Sequence, residues 1–261
     1  MNVSADTFRT LCRSSPWKWQ SLRFTFRALS VTSGPPDVDA AEAPDNPTVK
    51  AWLRRPRALR VESADGVLLY GTSGINDSKS ALFVSGSRKP WLLPPHLVAP
   101  VYNDDGLVRR RPEAAYGEPG FGLEEADAAL FSAVLDPVEL AGNAPVPLEF
   151  PFANVAEPGP VSVVEHEGRE ALETVLQPNP GYRPQNPAGP ILLPGSTAVR
   201  IDTGTGVCVA SQALDGPSAG RGHWISILAV DEYMLDDLFL RESSLLTDVR
   251  SHIVWELPQA Q

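Results

Sequence analysis

The sequence predicts an α+β fold, mostly antiparallel β, and three observations carry that prediction. Short runs rich in Val, Ile, Thr, Phe and Trp recur between turn signals. The chain of 261 residues holds 26 Pro and 20 Gly, a balance that suits many strands and loops better than a helical bundle. Helical patterning is confined to one segment at the start and one near the middle.

In chain order, Ser4 is a plausible N-cap with Asp6 in the first turn, and Val3, Phe8, Leu11 and Cys12 fall on one side of a short helix that Pro16 should stop. Trp17 to Val31 carries no Gly or Pro and reads as a long strand. Strands are expected at Val49 to Arg54, Ala58 to Glu62, Val67 to Tyr70 and Ala81 to Val84, with Asp65-Gly66 as a tight turn. Leu123 to Leu135 is the second helix. Its stripe is Leu123, Ala126, Leu130, Phe131 and Val134, its acidic first turn holds Glu124, Glu125 and Asp127, and Asp136-Pro137 should end it. Further strands are expected at Leu148 to Phe152, Val161 to Glu165, Ala171 to Leu176 and Ser251 to Leu257. Between them, Ser196 to Phe239 reads as a three-stranded meander closed by an acidic turn. No linker marks a boundary, so a single domain is expected over 1–261, with Pro-rich insertions near 34–47, 87–122 and 177–194.

Composition narrows the function classes. Apolar residues make up 43%, enough for a substantial core. The 22 basic and 32 acidic residues give a net charge of −10, which disfavours nucleic acid and anionic membrane as partners. No apolar run reaches the length of a membrane span, so no integral membrane segment is expected. The start shows no secretory pattern, which predicts a cytoplasmic location. Cys12 and Cys208 match no zinc or redox spacing and are expected as buried thiols.

Motifs for chemistry are weak. Asp202-Thr203-Gly204 matches the aspartic protease tripeptide, but the next residues look like a hairpin turn. Gly216 to Gly220 matches G-x-S-x-G around Ser218, with Asp215 and His223 nearby, yet a strand follows where the nucleophile elbow needs a helix. His96, His166, His223 and His252 show no metal-ligand spacing, and Asp231, Glu232, Asp236 and Asp237 lack the EF-hand pattern. No cofactor is expected, and a hydrolase at Ser218 or Asp202 is the remote reading.

Three segments resemble a known family. They are VKAWLRRPRALRVESADGVLLY at Val49 to Tyr70, AVRIDTGTGVCVASQAL at Ala198 to Leu214, and ISILAVDEYMLDDLF at Ile225 to Phe239. Their extended strand, Pro-x-x-Leu-Arg step, Ile-Asp-x-x-Thr-Gly turn and acidic exit resemble the LolA-like group of lipoprotein carriers, RseB-type sensors and actinobacterial lipid-binding lipoproteins. The resemblance implies a strongly curved half-barrel sheet with helices on its concave side. It also implies non-catalytic binding of a hydrophobic or lipid-like ligand, or of a partner's acyl chain. Relatives of this group are exported.

A curled sheet needs its concavity filled by side chains or by a ligand. Trp17, Trp19, Trp52, Phe83, Trp91, Phe150, Phe152 and Trp224 are the candidate lining, with packing in the core as the plainer role. Arg54, Arg57 and Arg60, together with Arg55, form a basic cluster suited to an anionic headgroup, and Arg109 to Arg111 form another. A second function class is a protein-interaction or regulatory module that takes a partner's segment on the concave face, with the Pro-rich loops as contacts.

Overall fold

The computed structural model describes residues 3–30, 47–55, 58–71, 98–112, 126–141, 156–180, 182, 184 and 189–239, without the side chains of 126–130 and 157. Helix α1 spans Ala5–Lys18 and strand β1 follows at Ser21–Leu29. Next come β2 Val49–Arg54, β3 Ala58–Ser63, β4 Leu68–Gly71, β5 Val101–Tyr102 and β6 Val108–Arg110. Helices α2 Ala126–Leu135 and α3 Val138–Ala141 precede β7 Ala156–Pro158, β8 Ser162–His166 and β9 Arg169–Pro178. The chain ends its described part with β10 Thr197–Asp202, β11 Cys208–Ala213, β12 Gly222–Val230 and a 3-10 turn at Asp236–Phe239.

Ten strands form one antiparallel sheet in the order β4-β3-β2-β1-β12-β11-β10-β9-β7, with β8 also pairing β9. The two expected meanders are thus halves of one sheet, joined where β12 returns to pair with β1. The architecture is α+β, dominated by this open antiparallel sheet. The sheet is neither closed nor strongly curled, so the half-barrel curvature implied by the resemblance is corrected to an open sheet with helices on one face.

Strand alternation decides which face the helices cover. Leu22, Phe24 and Phe26 of β1, Ala51 and Leu53 of β2, Leu59 and Val61 of β3, and Ile225 and Ile227 of β12 point into one core with Phe8, Leu11 and Cys12 of α1 and Phe131 of α2. Phe131 packs edge-on against Phe24 and Phe26, with ring centroids 5.9 and 4.9 Å away. Gly206 turns the chain between β10 and β11 at φ +73, and a Cβ there would lie 2.9 Å from the Leu11 carbonyl oxygen. The turn therefore rests directly on α1, and glycine meets both demands.

Several boundaries moved. Ser4 caps α1 as expected, its hydroxyl accepting from the Thr7 amide at 3.1 Å. Pro16 does not stop the helix. It sits in the last turn, where the missing N–H frees one carbonyl and the chain continues to Lys18. Trp17 therefore belongs to α1, and the long strand begins four residues later. Inside the expected 87–122 insertion, Val101–Tyr102 and Val108–Arg110 pair as a small hairpin. Its Val108 amide donates to the Ser14 hydroxyl at 2.8 Å, which docks it on α1. The expected strands at Ala81 to Val84, Leu148 to Phe152 and Ser251 to Leu257 lie outside the described residues.

Candidate functional site

The face of the sheet opposite the helices carries the candidate site. On β1 the outward positions are Arg23, Thr25 and Arg27; on β2 they are Lys50, Trp52 and Arg54; on β3 they are Ala58, Arg60 and Glu62. Register sets them side by side: Arg23 opposite Trp52, Trp52 opposite Arg60, and Arg54 opposite Ala58. Period-two alternation against a buried row of Leu, Phe and Ala puts the charged side chains of these strands onto the same surface.

A strap, residues Asp231 to Phe239, crosses this surface. Asp231 turns the chain out of β12 at φ +55. Its carboxylate accepts from the Gln20 and Ser21 amides at 2.6 and 3.2 Å. The Ser21 hydroxyl donates to the Glu232 carbonyl at 2.7 Å. Arg23 and Glu232 form an ion pair at 3.1 Å without hydrogen-bond alignment. Arg54 then grips the strap at three points: it donates to the Met234 carbonyl at 2.7 Å, pairs with the Asp236 carboxylate, and lies over the Phe239 ring at 5.2 Å. Arg60 donates to the Leu238 carbonyl at 2.9 Å and to Glu62 at 2.7 Å. Met234 and Phe239 are buried with Ala58 against Trp52 and Leu238, in a cluster separate from the main core.

Two of the three arginines expected to clamp a headgroup, Arg54 and Arg60, are thus brought together, and they hold carbonyls and a carboxylate of this chain. Arg57 lies outside the described residues. Of the aromatic candidates, Trp52 is on this face. So is Trp224, opposite Arg27 on β12, where its indole N–H donates to Glu167 at 2.9 Å and its ring meets His166 and Arg200. Trp17 and Trp19 stand elsewhere, at the end of α1. Trp17 donates to the Val98 carbonyl and lies under Arg111, which pairs in bidentate fashion with buried Asp136. Trp19 is sealed in the core beneath the Arg55 guanidinium, 3.3 Å from its ring centroid. Phe83, Trp91, Phe150 and Phe152 lie outside the described residues. Sequence reasoning missed Arg23, Arg27 and Lys50, although the alternation in Ser21–Leu29 and Val49–Arg54 carries them openly.

The groups that could suggest chemistry hold the fold. The Asp202 carboxylate accepts from Arg169 at 2.7 and 3.0 Å and from the Thr205 amide and hydroxyl at 2.7 Å each. That closes the β10–β11 turn. Ser218 lies in an exposed 3-10 turn between β11 and β12, and the nearby Asp215 carboxylate accepts from the Ser196 amide, which holds it below the usual carboxylate range. His223 is fully buried. Burial pushes both cysteine thiols up, away from the reactive thiolate. Among the described residues no group of His, Cys, Asp and Glu is arranged to hold a metal, and no helix is long and apolar enough to cross a membrane. A shallow cleft of about 460 Å³ at the β7–β9 edge is lined by Pro158, Gly159, Val175, Gln177, Pro178 and Asn179.

No family model and no curated protein matches the chain. Among solved structures, the crystal structure of MucB aligns over 91% of this chain and 62% of its own, at 13% identity and a TM-score of 0.31. The chain therefore spans less than two thirds of that protein's length.

Proposed function

We propose that the chain is a non-catalytic binding protein, folded as one domain over residues 1–261, that engages a protein segment on the outer face of its sheet. One observation carries this reading. A chain with a net charge of −10 gathers Arg23, Arg27, Lys50, Arg54 and Arg60 on one face of three neighbouring strands, with Glu62 as the acid among them. Segregated charge of this kind steers and orients an oppositely charged partner. Trp52 supplies an apolar platform inside the array.

The sequence also pointed to an apolar or lipid-like ligand on the helix side. There Phe24, Phe26, Phe131 and Trp19 are buried in the core, with Phe131 packed edge-on against Phe24 and Phe26, which favours the outer face. Native mass spectrometry of the purified chain separates the two readings. A clean apo mass, unchanged after incubation with fatty acids and phospholipids, is the expected result. A defined lipid adduct that survives purification contradicts it.

A further inference from the structure

We infer that the strap is a tethered occupant of a peptide-binding surface, and that the partner for this surface is an acidic segment with two apolar anchors spaced like Met234 and Phe239. The inference rests on the reading that the outer face binds a protein segment, and adds what that segment is and how access is controlled. Three features of the strap support it.

First, the contacts are those of peptide recognition. Arg54 and Arg60 donate to main-chain carbonyls of Met234 and Leu238, which any peptide carries, while Arg54 also takes the Asp236 carboxylate. Second, the anchors bury in a small cluster of their own with Ala58 and Trp52, so their release leaves the main core packed. Third, the strap is amphipathic. Met234 and Phe239 face the sheet, whereas Tyr233 and Leu235 are 85% and 60% exposed. Its four acids, Asp231, Glu232, Asp236 and Asp237, complement the basic face beneath.

An intramolecular occupant lowers the apparent affinity for an external one by the fraction of time the site stands open. The strap therefore sets a threshold: only a partner of the same chemistry, at sufficient concentration, takes its place. The β12 pairing with β1 stays intact when it does, because that pairing ends at Leu22 opposite Val230, before the strap begins.

The test uses the full chain and a labelled synthetic peptide with the sequence of residues 231–239. Met234→Ser with Phe239→Ser loosens the strap at its two anchors. The peptide is expected to bind this variant about tenfold or more tightly than wild type, and Arg54→Ala in the same background should remove that gain. Native-state hydrogen exchange of wild type guards against a variant that misfolds. The Leu238 amide, which donates to the Leu235 carbonyl at 3.2 Å, should exchange through an opening that leaves β1 and β12 protected. Exchange of that amide only with global unfolding overturns the inference. So does equal peptide binding by a folded variant and wild type. The reading of the outer face fails separately, if an acidic polypeptide leaves the exchange of β1, β2 and β12 unchanged in both proteins.

Discussion

Replacing Asp202 with alanine is expected to cost about 3 kcal/mol of unfolding free energy, seen as a lower urea midpoint at unchanged slope. Asp202 is 1% exposed and receives four hydrogen bonds at its two carboxylate oxygens. Alanine leaves the buried Thr205 amide and hydroxyl without their acceptor, and each such orphan is costly. It also strands Arg169, whose guanidinium the pair holds above its ordinary range through that hydrogen bond. Arg169 remains about a third exposed and can turn to water, which keeps the loss toward the lower end for a broken buried pair. The turn these bonds close lies on α1 through Gly206, so the effect reaches the helix packing. A loss below about 1 kcal/mol, the size seen for exposed pairs, would show that the carboxylate does not organise the turn.

The second large effect is a dependence on pH through His223. The ring is fully buried, stacked near Phe26, and bonded at both nitrogens. The Cys208 carbonyl can only accept, so Nε2 carries the proton at 2.8 Å, and Nδ1 accepts from the Ser211 hydroxyl at 2.7 Å. Burial, partly opposed by the Cys208 hydrogen bond, pushes the pKa down from 6.5 to about 4. In the unfolded chain the ring takes up its proton near pH 6.5, while the folded chain resists until about pH 4. Stability from this group is therefore full above pH 6.5 and is lost as pH falls through that window. The loss between pH 7 and pH 5 is expected to be about 2 kcal/mol. It should be absent from the pH profile of a folded His223→Gln variant. Equal pH slopes in the two proteins would show that His223 is not the group responsible.

Local pattern told most of the strand content and little of its assembly. β2 falls on the expected residues, and β3, β8 and β10 to β12 lie within a few, because each alternates between turn signals. The pairing of β1 with β12 joins residues some two hundred positions apart, and no local signal encodes it. Pro16 misled because a proline in a last turn removes one bond without ending the helix. The site was half legible. Arg54 and Arg60 stood out as a cluster, but their chain-internal partners Met234, Asp236 and Leu238 are separated from them by most of the sequence. Asp231 to Asp237 read as a closing acidic turn, and only the fold shows it laid across the arginines.

The same geometry gives Arg54 and Arg60 a role between the two functions first considered for them. Guanidinium groups that bind carbonyls and a carboxylate side by side are chemically suited to a polypeptide, and less so to a headgroup held alone. Exposed Arg27 and Lys50 extend the basic surface along β1 and β2 beside the strap, where a longer partner would continue.

The most direct test of this account is hydrogen exchange of the full chain with and without an acidic peptide carrying two apolar anchors. The account predicts slowed exchange in β1, β2 and β12, with faster exchange at the Leu238 amide, bonded to the Leu235 carbonyl, as the strap is displaced. Protection confined to α1 and α2, or to the cleft between β7 and β9, would contradict it.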